Sequence, residues 1–542
     1  MNRGIALVEN LKDSCLLEDG IFNHTVKMHD VVHDVAIWIA TSSKLDGCKS
    51  FVQSGIGSNQ ISEVELSESL NRVSFMENEI TRLPDCAIQC PKVSSLLLQG
   101  NLPLEIVPEG FLLGFPALRV LNLSETCIHT LPLSVIQLHK LEAFLLQGCQ
   151  NLKELPPLGT LHRLQVLDCS STNLEALPEG MENLTDLRLL DLSETHHLRH
   201  IPNGIISQLS RLETINMTNS FYKWSGKRPK EELGTTPIDE LGCLNQLIAL
   251  YINLNSLYLA FEDLSWIKRL KRFHFVIGHA DEKLLVQQKC QEKRVNLCWV
   301  DFSGECCWVK QLLENASNLI LDHCQNLEAI PAGLANECYC FIGLKSLTIT
   351  DYYGKFLPAR ESGDDRFDLL PNLEELVLRQ VSRLLSISEL AQFLKLRLST
   401  LRKISLSRCE SLKYLVSSSA SLKNLEELTV SSCWMFPELF ENASSSQSFE
   451  DLLEHATSSQ TLINDPMRTT PVMAASRELE VIACYQFKKL PFTTQNATAI
   501  KEIRGSSQWW NDLEWDDEDT KSVLVAFVIG HCDNVLVMLS FL

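Results

Sequence analysis

His29 and His33 stand four residues apart with Asp30 and Asp34 beside them, a spacing that puts both imidazoles on one side of a helix. A zinc pair needs a third ligand, and a metalloprotease needs a glutamate between the histidines. The chain supplies neither in the required place, so these groups read as helix polarity rather than a metal centre. The 19 cysteines contain no C-x-x-C pair; Cys306-Cys307 and Cys338-Tyr-Cys340 have the wrong spacing for zinc. No nucleophile elbow surrounds any serine, and no G-x-x-x-x-G-K-[ST] stretch is present to cradle phosphates. The expectation is therefore no catalytic residue, no resident metal and no cofactor held by this chain alone.

The remaining chemistry is that of a surface, and the bulk composition limits its partners. The chain has 542 residues, 45% of them hydrophobic, with 48 basic against 68 acidic groups and a formal charge of −20. Nucleic acid and anionic membrane both attract through clustered Lys and Arg, so this balance disfavours them and favours protein partners. The start, Met1-Asn2-Arg3-Gly4, has no basic segment followed by an uninterrupted apolar run. A reduced, cytoplasmic setting is expected, in which Asn122-Leu-Ser and Asn183-Leu-Thr carry no glycan.

A chain this long exceeds one compact core, which prompts a search for internal periods. The pattern L-x-x-L-x-L recurs from Leu70, Val93, Leu118, Leu141, Leu164, Leu187 and Leu212, at intervals of 23, 25, 23, 23, 23 and 25 residues. In each unit the alternating x-L-x-L stretch is a short strand with its leucines inward, and one unit cannot bury them alone; stacked neighbours can. The return segments end at Leu131-Pro132, Leu155-Pro156, Leu177-Pro178 and Ile201-Pro202. Proline removes a ladder donor there, which predicts an irregular or short-helical convex side. Cys149, Cys324, Cys409 and Cys433 fall three residues after the second strand leucine, the slot that Thr126, Thr172 and Thr195 fill elsewhere, so they are structural.

The fold class that follows is an α/β leucine-rich-repeat solenoid with a curved parallel sheet and a small amino-terminal winged-helix fragment. Its expected divisions are the fragment at 1–45, regular repeats at 60–220, irregular repeats with an insertion at 221–315, and further repeats at 316–505 with a Ser/Thr-rich loop at 444–476. An acidic and apolar tail occupies 506–542. The fragment reads as a helix from Gly4 to Cys15, a hairpin around Glu18-Asp19-Gly20, and a second helix from Asp30 to Thr41. In the tail, Asp533 interrupts the apolar runs Val523–Ile529 and Val535–Leu542, which favours two strands joined by a turn, or a sequence unrelated to the rest through an altered gene end, over a membrane span.

Met28-His29-Asp30, within Val26-Lys-Met-His-Asp-Val-Val-His-Asp-Val-Ala-Ile-Trp-Ile-Ala40, resembles the MHD motif of plant coiled-coil-class nucleotide-binding leucine-rich-repeat disease-resistance proteins. Gly4 to Asp19 is similar to the segment leading to it. Asp368-Leu-Leu-Pro-Asn-Leu-Glu-Glu-Leu376, Ser386-Ile-Ser-Glu-Leu390, Cys409-Glu-Ser-Leu-Lys-Tyr-Leu415 and Trp509-Trp510-Asn-Asp-Leu-Glu-Trp515 resemble the same family's repeat domain. The likeness runs from residue 1 to about 518, as in an amino-terminally truncated member carrying the end of the NB-ARC module.

The resemblance implies an innate-immunity receptor fragment. Its repeats would recognise a pathogen effector or guarded host protein and dock a nucleotide-binding domain in an autoinhibited state. In the family His29 would occupy the ADP-sensing position, with ADP or ATP bound elsewhere in the full protein; here it is expected to be inactive. The partner-binding concave face is expected at Asn122, Glu125, Asp168, Asp191, Glu194 and Asn216, polar to acidic, and at Arg379, Lys403 and Arg408, more basic. Other readings are a stand-alone repeat scaffold or decoy, and a cell-surface repeat receptor.

Overall fold

The computed structural model describes residues 2–14, 16–19, 26–28, 35, 50–61, 66–85, 89–225, 236–254, 264–278, 293–302, 307–327, 341–356, 368–417, 422, 424–436, 438–440, 477–490, 500–515, 518–532 and 535–537. His29 and the expected 444–476 loop lie outside them, as does most of the second amino-terminal helix. The chain forms two compact units: Met1–Phe275 with Asp281–Gln291, and Val276–Ala280 with Glu292–Leu542.

The first unit begins with a helix, Asn2–Asp13, and an antiparallel pair, β1 (Glu18–Asp19) with β2 (Val26–Lys27). Glu18 and Asp19 thus lie in the first strand and not at its turn. The parallel ladder starts at β3 (Ser50–Val52), ahead of residue 60, and continues through β4 (Arg72–Ser74), β5 (Ser95–Leu97) and β6 (Val120–Asn122). It runs on through β7 (Ala143–Leu145), β8 (Val166–Asp168), β9 (Leu189–Asp191), β10 (Thr214–Met217) and β11 (Ala249–Leu254). Every residue pairs with its counterpart one repeat on, as Leu121 with Phe144 and Leu167 with Leu190. Leu118, Leu121, Leu123, Leu141, Phe144 and Leu146 are fully buried, each stabilising the stack by ~1.5–3 kcal/mol.

The stretch expected to be irregular also carries strands: β11, then β12 (Arg272–Gly278) and β13 (Lys293–Cys298). Leu247-Ile-Ala-Leu250-Tyr-Ile252 has the repeat spacing there, and all three apolar positions are buried. In the second unit β13 leads a parallel ladder through β14 (Asn318–Asp322), β15 (Ser346–Thr350), β16 (Glu375–Arg379) and β17 (Lys403–Ser407). β18 (Tyr414–Val416) leaves it to pair with β20 (Glu438–Phe440). β19 (Glu427–Ser431) and β21 (Arg477–Ile482) continue the main ladder.

The tail extends that ladder. β22 (Ile500–Ser506) pairs parallel with β21 and with β23 (Val528–Cys532), which closes antiparallel on β24 (Val535–Val537). The first expected tail strand begins later than its apolar run, because Glu518–Leu524 is helical. Among the described residues no helix is long and apolar enough to cross a membrane.

Most rungs of the ladder are followed, within one to three residues, by a residue of left-handed conformation. Glu77, Glu125, Ser171, Glu194 and Asn219 take φ of 54–57° in the first unit, and Gly100 and Gly148 fill the same place at 76° and 73°. In the second, Trp299, His323, Asp351, Gln380, Arg408, Ser432 and Ala483 take 50–58°. These amides still bond the adjacent repeat, as Glu125 N to Gln147 O at 2.7 Å and Arg408 N to Ser431 O at 2.9 Å.

The next residue then plugs the turn from inside: Thr126 Oγ1 donates to Leu123 O at 2.8 Å, Thr195 Oγ1 to Leu192 O at 2.6 Å, and Cys324 Sγ to Leu297 O at 3.2 Å. The slot cysteines are buried thiols, and burial pushes Cys324 up to about 12. On the return path Pro108 and Pro132 precede short helices, Glu109–Leu113 and Leu133–Gln137, where a missing amide donor costs nothing.

Candidate functional site

The solvent-facing side of the first unit's strands is built from two rows. The residue between the two inward strand positions gives Leu97, Asn122, Leu145, Asp168, Asp191, Asn216 and Tyr251 in register on successive strands. The row beside it holds Val120, Ala143, Val166, Leu189 and Thr214, all half-buried on the outward side.

The polar members of the first row are tied down. Asn122 accepts from Ser124 N at 2.9 Å and donates to Gln99 Oε1 at 3.0 Å. One oxygen of Asp168 accepts from Ser170 N and Oγ, at 2.9 and 2.6 Å. Asp191 repeats this with Ser193, and its second oxygen accepts from Asn216 Nδ2 at 2.9 Å. Asn216 in turn accepts from Thr218 N and Oγ1. Each short polar side chain thus closes a turn just past its strand, the local bonding to which Asn and Asp are suited. Burial, then the neighbouring Asp168 charge, push the Asp191 carboxyl above the ordinary range.

Glu125 and Glu194 occupy the left-handed positions, on a separate row from these carboxylates. Glu125 is exposed. Glu194 accepts from Asn219 Nδ2 at 2.6 Å and lies 3.5 Å from His196 Nε2.

In the second unit the three expected basic residues do not form a patch. Arg379 ends β16, Arg408 holds a left-handed position, and both are exposed. Lys403 lies at the other end of its strand, four register positions from the row of Arg379 and five from Arg408, in a register series with Glu375, Glu427, Glu478 and Glu502. Its ammonium bonds Glu427 at 2.6 Å, which raises its affinity for the proton. Lys501 meets Glu478 at 2.7 Å and holds that carboxyl below its usual range, while Arg504 pairs with Glu502. Along this register series the surface is acidic, and its cations Lys403, Lys501 and Arg504 are paired.

Two groupings escaped reading by residue type. The half-buried aliphatic row passes as core padding unless the strand register is known. Asp322, His323 and Asp351 bring three ligand-type atoms within 4.8 Å of one another. They come from successive repeats of unequal length, and only their shared place after the strand could have linked them.

No family model matches the chain. Among known proteins, the Arabidopsis thaliana disease resistance protein At4g27190 is 40% identical over 545 residues, covering 97% of this chain and 54% of that protein. The probable disease resistance protein At4g27220 of the same plant is 38% identical over 93% of this chain and 55% of its own length. Disease resistance protein RPS5 is 31% identical over 40% of this chain and 24% of its length. The chain spans about half the length of the two most similar of these. Among solved structures, a leucine-rich-repeat protein of Leptospira interrogans gives a TM-score of 0.45 at 18% identity, over 74% of this chain and 93% of that one. An internalin of Listeria monocytogenes gives 0.37 at 15%, over 73% and 94%.

Proposed function

The chain is, over 97% of its length, a homologue of Arabidopsis disease resistance proteins, and on that premise we propose that it is the recognition portion of an immune receptor. The observation that carries the reading is the outward aliphatic row Val120, Ala143, Val166 and Leu189 running beside the carboxylates of Asp168 and Asp191. Solvent-facing aliphatic groups bordered by fixed charge suit a protein partner with an apolar ridge and basic margins, because the ridge drives burial and the charges set register.

In this reading the first unit's face docks a nucleotide-binding domain in the resting state, and an effector or guarded host protein competes for it or binds the second unit. The chain acts in the cytoplasm, holds no nucleotide of its own, and catalyses nothing; the missing G-x-x-x-x-G-K-[ST] stretch supports that part. The acidic second unit calls for a basic partner surface.

The test is association of the full chain with a separately supplied nucleotide-binding domain from a homologous receptor, measured by calorimetry. Val166→Lys with Leu189→Lys should weaken binding at least ~30-fold, the two substitutions each removing a buried aliphatic contact and adding a repulsive charge. Unchanged affinity with a native circular-dichroism spectrum would refute docking through this face.

A further inference from the structure

We propose that Asp322, His323 and Asp351 form a binding site for a divalent transition-metal cation of the zinc class. Asp322 closes β14, and alternation along the strand places its side chain on the same outward face as Thr350, its register partner at the end of β15. His323 and Asp351 are the left-handed residues of the same two repeats, with φ of 50° and 52°. Their amides are held by the next repeats, His323 N on Thr350 O at 3.0 Å and Asp351 N on Arg379 O at 2.9 Å. The ladder therefore fixes the origin of all three side chains.

The donor atoms converge. Asp322 Oδ1 lies 3.1 Å from His323 Nδ1, and one ligand atom from each residue falls within 4.8 Å of the others. Zinc bonds of about 2.0–2.2 Å to nitrogen and oxygen place neighbouring ligands roughly 3.3 Å apart in a tetrahedron. The Asp322–His323 separation already meets that spacing. Asp351 is only half-buried and can close the remainder by side-chain rotation.

Three surrounding features favour a cation. Asp322 is 1% exposed, and a carboxylate taken out of water needs strong positive compensation. Thr350 Oγ1, on a side chain 8% exposed, has no hydrogen-bond partner and faces the same side beside two of the ligands, where a metal-bound water would satisfy it. The Trp299 ring stacks on the imidazole at 4.2 Å and 14°, fixing its plane, while Tyr353 donates its hydroxyl to Asp351 Oδ1 at 3.3 Å. Such outer contacts orient ligands in metal sites. Two carboxylates and an imidazole suit zinc, cobalt or manganese; an all-oxygen set would suit calcium or magnesium.

The experiment uses the full 542-residue chain, reduced and metal-stripped, titrated with Zn²⁺ and, in parallel, Co²⁺ with its visible spectrum recorded. His323→Gln and Asp351→Asn alter the two ligands outside the core, and circular dichroism checks their fold. The expected result is one equivalent of tight Zn²⁺ binding, weakened at least ~10-fold in each variant, with a cobalt spectrum of oxygen and nitrogen ligation. Variants that keep the parent's stoichiometry and affinity would overturn the proposal. So would a cobalt spectrum showing only thiolate charge transfer, which would assign the metal to cysteines, or Ca²⁺ competing equally with Zn²⁺.

Discussion

Asp168 and Asp191 are register partners on adjacent parallel strands, two carboxylates on one face, each closing its own serine turn. Their bonding is identical in plan, yet Asp191 alone also receives the amide of Asn216. The fold sets like charges one strand apart and restrains each with local donors.

Asp191 has a folded-state pKa above its ordinary 3.8, from burial and then from Asp168. Its stability contribution is therefore full below pH 3.8 and is lost as pH rises through the elevated value. Urea midpoints measured across this range should show Asp191→Asn gaining on the parent as pH climbs. A gap between the two that stays constant with pH would contradict the assignment.

Glu109 gives the opposite slope. Its carboxylate accepts from Leu133 N and Ser134 N at 2.7 and 2.8 Å, at the start of the next repeat's short helix, and these bonds lower its pKa from 4.5. The contribution is present above pH 4.5 and is lost as pH falls through the depressed value. Glu109→Gln should therefore unfold earlier than the parent at neutral pH and converge with it on acidification, read by the same midpoints. The effect will be small, since the side chain is exposed.

The left-handed positions make a third test. Glu125 at φ 55° bears a strain that Gly148, in the equivalent place, avoids. Glu125→Gly should raise stability by about 0.5–1 kcal/mol, and Gly148→Ala should lower it by about 1 kcal/mol, where the added Cβ would stand 3.3 Å from Glu125 Cγ. Thermal or urea unfolding of both variants checks the pair of signs. Equal shifts in one direction would remove the conformational explanation.

How far the sequence disclosed this depends on which interaction set each residue. The inward leucines obey a period, so Leu118, Leu121 and Leu123 announced the ladder, and Thr126 or Cys324 announced the slot behind it. The same period hid the outward side: Val166 and Leu189 are apolar, and only pairing reveals that they face solvent. Lys403 was legible as a charge but not as one held by Glu427, because its partner lies one strand away and 24 residues on. The approach of His323 to Asp351 was equally invisible, since it spans repeats with no common length. The array's start at Ser50 lacks a strong leucine pattern and shows itself only by pairing with Arg72–Ser74.

The left-handed residues Ser432 and Ala483 stand on neighbouring rungs although 51 positions separate them, whereas 23 separate Ser171 from Glu194. Strand and turn hold a fixed address while the path back absorbs every difference in length. A gene for such a protein can gain or lose coding sequence between addresses, or trade whole repeats by unequal exchange, without shifting the register of any other rung. The exposed rows are then free to diversify one rung at a time, a layout that lets a lineage of such proteins change its outward surface while keeping the ladder that presents it.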